Sequence, residues 1–285
     1  MMQKIWVGIV FVCVVLIGGL FVKWGGNLNF WEKTNDEEIQ STAILHEELY
    51  EEEYGERDHD QNTPTLGQGK EEKSDFEFTQ VIQKEYKQDN SQESIFDEQV
   101  PFVIQAPDAH WDNPRYQDGC EEASLLMAFR WIQEKSILDP VEELNTISRR
   151  MEKKFNTFRD TSLEDNYEFS KDFLGTDDRI LLRENITKEQ MKEVIVSGNI
   201  LAITVDGQML KNPYFTPPGP GYHMLVVRGY DKNTHEFITN DPGTRKGEKY
   251  RYSEDVLYEA MIDYETGSHG KRYPEKKPAL IFVGE

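Results

Sequence analysis

Cys120, His223 and Asp241 follow one another along the chain in an order that suits nucleophilic catalysis. A thiol is a weak nucleophile until a base removes its proton, and an imidazole serves best when a third group fixes its tautomer. Cys120 stands where a Pro-, Asp- and Asn-rich loop, 106–119, gives way to the helical run CEEASLLMAFRWI. Free backbone N–H groups and the macrodipole at a helix start favour a thiolate. By position alone, a small buried hydrophobe fits Cys120 equally well. Glu121 and Glu122 suit the helix dipole but add negative charge beside a thiolate. His223 follows Gly219-Pro-Gly-Tyr and opens the strand HMLVVRGYD, at the mouth of a cleft or simply as a satisfied edge histidine. Asp241 closes the next strand, just before Pro242-Gly243. A hairpin through Lys232-Asn233-Thr234 brings His223 and Asn240/Asp241 to one end, where an acid or amide can accept the imidazole Nδ1–H. Ordinary turn chemistry explains Asn-Asp-Pro-Gly as well.

The other histidines compete poorly. His110 lies in the loop before Cys120, His235 in the hairpin, His269 in a Gly/Ser segment, and His46 and His59 in an acidic region. No Cys-x-x-Cys or His-x-x-x-His spacing is present, so no metal and no cofactor are expected. Of the two cysteines, Cys13 lies in an apolar run, which leaves Cys120 as the thiol of the globular part.

The elements that must position these groups lie beyond about residue 99. Val100–Ile104 reads as an entering strand, and 120–132 as a buried central helix whose apolar residues cover most of its circumference. Helices are expected at 140–154, with Pro140 in its first turn, and at 188–197, between the N-cap Thr187 and Gly198. Strands are expected at 200–205, 222–230, 235–239 and 278–283, with a helix near 254–263. A helix-rich half before a strand-rich half is the α+β pattern of one domain, 99–285.

Two different segments precede it. Residues 5–22 carry no charge between Lys4 and Lys23, and as a helix they reach roughly 27 Å, enough to span a bilayer. Residues 1–26 are therefore expected to be an uncleaved anchor, with a cleaved signal and a secreted product as the alternative. The anchor makes the chain a single-pass protein of the cell membrane with its C-terminal domain outside. Residues 27–98 are polar and acidic without a sustained period, and are expected to form a disordered stalk. Residues 27–100 account for −15 of the chain's net −21. With no basic stripe to neutralise phosphates, nucleic acid is excluded as a partner.

The stretch VPFVIQAPDAHWDNPRYQDGCEEASLLMAFRW, together with GPGYHMLVVRGYD and FITNDPGTRKG, resembles the bacteriocin-processing branch of papain-like cysteine peptidases. This is cysteine peptidase family thirty-nine, and the likeness is closer to the stand-alone thirty-nine-like domains of bacterial surface proteins. It covers about 101–283 and implies a papain-like fold: a helical half with the nucleophile at a helix N-terminus, and an antiparallel sheet half. It implies Cys120 as nucleophile, His223 as general base and later acid, and Asp241 as the orienting carboxylate, with Asn240 the alternative. Gln105 is implied as an oxyanion donor beside the Cys120 N–H, with Gln117 the alternative. The implied reaction is hydrolysis of a peptide or protein substrate. The chain departs from the leader peptidases in reading Gly-Cys-Glu-Glu rather than Asp-Cys-Gly, and no transporter domain is expected, so the double-glycine substrate does not carry over. A papain-fold binding module without catalysis and a transglutaminase-like acyl transferase are the rival expectations. Trp111, Tyr214, Phe215 and the Pro217-Pro218 turn are candidate cleft walls.

Overall fold

The computed structural model describes residues 94–284 apart from 176–177, together with Thr79. The apolar run 5–22 and nearly all of the acidic segment 27–98 lie outside the described residues. Among the described residues, no helix is long and apolar enough to cross a membrane.

The centre of the domain is an antiparallel sheet. Its strands are β1 (Ser94–Phe96), β2 (Ile180–Arg183), β3 (Ile200–Val205), β4 (His223–Asp231), β5 (Glu236–Asn240), β6 (Tyr250–Ser253) and β9 (Ala279–Phe282). The order is β2-β9-β3-β4-β5-β6, with β1 also paired to β4. A separate pair, β7 (Asp263–Tyr264) and β8 (Arg272–Tyr273), lies off this sheet. Every residue of β3 and β4 is buried, because helices cover both faces. Side chains alternate along a strand, so Leu201, Ile203, Leu225 and Val227 share one face with Met191, Val194 and Ile195 of the helix α5 (Lys188–Val196). The opposite face meets the helix α2 (Cys120–Ile132), in which every residue but Arg130 is buried. There Phe129 stacks on Phe173 at 4.8 Å and meets Phe282 of β9 edge-on. A buried side chain of this size contributes roughly 1.5–3 kcal/mol.

The remaining helices are α1 (Pro114–Gln117), α3 (Pro140–Phe155), α4 (Leu163–Leu174) and α6 (Glu254–Ala260). Capping accounts for their limits. Asp139 accepts from Glu142 N–H ahead of Pro140, and Thr187 forms a reciprocal capping box with Gln190. The helix α2 differs: its N-cap is Gly119, and no side chain caps it. A Cβ at Gly119 would lie 2.7 Å from Arg115 O, so the close approach of α1 to α2 requires glycine.

Three expectations need correction. Residues 100–104 form no ladder strand; the carbonyls of Val100 and Pro101 accept side-chain N–H groups from Arg228 and Asn240 at 2.9 and 3.0 Å instead. The strand that does pair there is β1, so the fold reaches back to Ser94, inside the segment expected to be stalk. The helix expected to reach 263 stops at Ala260, and Asp263 enters β7. The helix α4 had no counterpart in the sequence reading, because Asn166 and Ser170 occupy its buried face and break the apolar pattern. Both are satisfied internally: Asn166 Nδ2 donates to Thr161 O and Ser170 Oγ to Asn166 O.

Candidate active site

The sheet supplies the imidazole. His223 is the first residue of β4, and Asp241 follows the last residue of β5, so antiparallel pairing of the two strands brings them together. His223 Nε2 lies 2.9 Å from Asp241 Oδ1. Asp241 Oδ1 also accepts the Gly243 N–H at 2.9 Å, and Oδ2 accepts the Tyr252 hydroxyl at 2.6 Å. Asn212 Nδ2 in turn donates to the Tyr252 oxygen at 2.7 Å. Burial alone would raise the Asp241 carboxyl. The His223 charge and hydrogen bond, with the Tyr252 and Gly243 donors, outweigh it and hold the carboxyl below its usual value. An ionised Asp241 makes Nε2 the donor, which leaves Nδ1 as the nitrogen with the lone pair. The sequence expectation had the opposite nitrogen facing the acid.

Packing fixes this ring. Phe215 meets it edge-on with centroids 5.4 Å apart. A Cβ at Gly243 would stand 2.9 Å from Phe215, 3.0 Å from His223 Cε1 and 3.2 Å from Asp241 Oδ1. Only glycine leaves room for all three.

The helix supplies the thiol. Ser124 Oγ, one turn along α2 from Cys120, donates to Met224 O at 3.0 Å and pins the helix start beside the start of β4. Cys120 Sγ donates to Glu121 Oε2 at 3.0 Å, and Tyr264 donates its hydroxyl to Glu121 Oε1 at 2.8 Å. Burial pushes the thiol well above its ordinary value, and the Glu121 charge and hydrogen bond push the same way. The Met224 N–H opposes them, and the Asp160 charge adds to the rise. Burial also drives the Glu121 carboxyl up to about 7, against the pull of its thiol and tyrosine donors.

Glu122 is buried as well, and neither of its oxygens has a hydrogen bond of normal geometry, although Ser148 and Arg115 lie close enough to lower its pKa. Burial and the Glu121 charge win, and its carboxyl stands well above the usual range. It lines a small pocket with Gln105, Arg115, Tyr116, Asn145 and Ser148 among its neighbours.

The expected oxyanion donors are placed as follows. Gln105 is buried, and its backbone N–H donates to Pro242 O at 3.0 Å, beside the Asp241 turn. Its amide Nε2 donates to Tyr116 O at 2.8 Å and Gln117 O at 3.0 Å, so both amide protons brace the loop ahead of Cys120. Gln117 is exposed and donates to Trp111 O. Asn240 faces away from the imidazole: its Oδ1 accepts from Arg228 and from Lys249 N–H, and its Nδ2 donates to Pro101 O. Of the candidate cleft walls, Phe215 touches the imidazole, Tyr214 is exposed beside Tyr250, and Trp111 is exposed in the loop.

Tyr252, Asn212, Tyr264 and Gly243 were not singled out from the sequence. Alternation in Tyr250-Arg-Tyr-Ser253 marks the two tyrosines as sharing a face, but which of them reaches Asp241 depends on the β5–β6 register. Among the described residues, no group of three or more His, Cys, Asp or Glu side chains could hold a metal ion.

The model of the Peptidase_C39 like family matches residues 97–269. A solved structure from Bacillus anthracis, described as that of a C39-like peptidase, is 13% identical. The match covers 68% of this chain and 99% of that one, with a TM-score of 0.46. No curated protein matches the chain.

Proposed function

This chain belongs to the C39-like peptidase family, and from that premise we propose that it is a cysteine peptidase hydrolysing peptide bonds through Cys120, His223 and Asp241. The observation that carries this is the buried relay Asn212–Tyr252–Asp241–His223, which ends at the strand start against which α2 presents Cys120.

His223 Nδ1 takes the thiol proton, and the sulfur attacks the substrate carbonyl carbon. The charge that develops on the carbonyl oxygen is met by the Cys120 N–H, at a helix start where no side chain competes for it. Gln105 joins by exchanging one of its two backbone carbonyl partners for that oxygen. Its position beside the Asp241 turn supports this role. The proton on Nδ1 passes to the leaving amine, and water, activated by the same imidazole, releases the acyl group. Asp241 holds the ring and balances its positive charge throughout.

The test is alkylation of the full chain by iodoacetamide, read by mass spectrometry on the Cys120 peptide, with turnover followed on a peptide library. We expect wild type to cleave the library, and His223→Ala to slow both alkylation and cleavage. Alkylation of Cys120 at the rate of a denatured control, unchanged in His223→Ala, would refute the proposal. The thiol's bond to Glu121 favours a second reading, a papain-fold binding module without catalysis. Peptide binding without turnover would identify it, and amine incorporation in place of hydrolysis would identify an acyl transferase.

The same proposal includes a membrane anchor at residues 5–22 with the domain outside the cell, supported by the uncharged run between Lys4 and Lys23. Protease added to intact cells should remove the domain, whereas a domain protected until lysis would contradict that orientation.

A further inference from the structure

Glu121 is in direct contact with the atom proposed to react, and the chemistry of a Cys–His–Asp site does not call for it. Its Oε2 accepts the Cys120 S–H at 3.0 Å, while Tyr264 of β7 holds Oε1 at 2.8 Å. Cys120, Glu121 and Tyr264 are 5%, 1% and 1% exposed, so water does not compete for these bonds. A carboxylate bonded to a thiol favours the thiol over the thiolate, because ionising the sulfur would set two anions side by side in a dry site.

Resting on the peptidase reading above, we propose that Glu121 is a catalytic residue that holds the Cys120 proton in the resting enzyme. The thiol becomes nucleophilic only on exchanging this hydrogen bond for one to His223. Turning about the Cα–Cβ bond carries Sγ from Oε2 toward the imidazole. The S–H bond then breaks, its electron pair stays on sulfur, and its proton forms a new bond to His223 Nδ1. Glu121 keeps the Tyr264 hydrogen bond throughout. The Met224 N–H, already directed at the sulfur, favours the thiolate that results.

The restraint depends on the charge of Glu121. Cys120 and Glu122 face that carboxyl from its own helix, Tyr264 from β7, and Asp160 from the turn ahead of α4. Asp160 is itself held by the His269 N–H at 2.7 Å. Burial brings Glu121 to about 7, so the restraint tightens as pH rises through that value and slackens below it. Without the Tyr264 hydroxyl, Glu121 would ionise at higher pH, and the restraint would set in later.

The experiment is the pH profile of Cys120 alkylation in the full chain, comparing wild type with Glu121→Gln, Tyr264→Phe and His223→Ala. Glutamine keeps the size of the side chain and an acceptor for Tyr264 but removes the charge. E121Q should react faster above pH 7, by about threefold for each unit the thiol pKa falls, since thiolate fraction outweighs lost nucleophilicity. Y264F should react faster near pH 7 and match wild type well above it, which keeps the test available if E121Q fails to fold. Unchanged or slower reaction in E121Q above pH 7, or in Y264F near pH 7, with His223→Ala slowed, overturns the role of Glu121 and leaves the peptidase reading standing. His223→Ala matching wild type overturns the peptidase reading, and this role with it.

Discussion

Asp241 and Glu121 are both buried carboxylates, 0% and 1% exposed, and each is bonded to one of the two groups proposed to react, the imidazole or the thiol. Asp241 receives the His223 ring, the Tyr252 hydroxyl and the Gly243 N–H, and lies below its ordinary pKa. Glu121 receives a thiol, a phenol and its own backbone N–H, with Asp160 raising it further, and climbs to about 7. Equal burial thus gives opposite outcomes, because the neighbours of a dry carboxylate, an imidazole at Asp241 against a thiol and further acids at Glu121, decide whether it stays charged. On the sheet side an ionised carboxylate orients the imidazole, while on the helix side the thiol is bonded to a carboxyl that burial raises.

Breaking the sheet side should have the larger effects on rate. Asp241→Asn should lower kcat on a cleaved peptide by on the order of 10²–10⁴ with little change in KM, since the tautomer is lost and the pocket is kept. Gly243→Ala should follow, because the new methyl must displace Phe215 or the imidazole itself; kcat should fall on the order of 10-fold or more. Tyr252→Phe is smaller. It removes one of three donors to Asp241 and leaves Asn212 without its acceptor, for about 1–3 kcal/mol of stability read by urea unfolding.

The helix side is sharpened by pH. Glu121 and Glu122 have folded pKa values above their unfolded ones, so the unfolded chain ionises first as pH rises. Stability from this source is therefore complete below about pH 4 and is lost as pH rises to and through the folded values, about 7 for Glu121. Glu122→Gln should reduce the fall in unfolding free energy between pH 5 and pH 8, by on the order of 1 kcal/mol. A fall as large as that of wild type would show that Glu122 is not the group held neutral.

Residues whose partners are local, or whose type is chemically rare, were legible in the sequence. The bounds of β3 were read as they stand at 200–205, since a continuous apolar run between turn signals marks a buried strand. Cys120 and His223 stood out because thiol and imidazole are scarce in this chain. The ring nitrogen that meets Asp241 was misjudged, because tautomer choice depends on how two strands sit relative to one another. Residues 100–104 were misjudged for a related reason: Arg228, re-aimed by a β-bulge between Val227 and Gly229, takes a carbonyl that a ladder would have used. Tyr264, which anchors Glu121, lies 143 residues from it in sequence, and no local pattern encodes that contact.

The account stands most directly on whether His223 activates Cys120. The pH dependence of Cys120 alkylation, compared between wild type, His223→Ala and the denatured chain, measures this in one series. The account predicts that native wild type alkylates with a histidine-dependent inflection that His223→Ala removes. Native and His223→Ala profiles that coincide, both without that inflection, would contradict it.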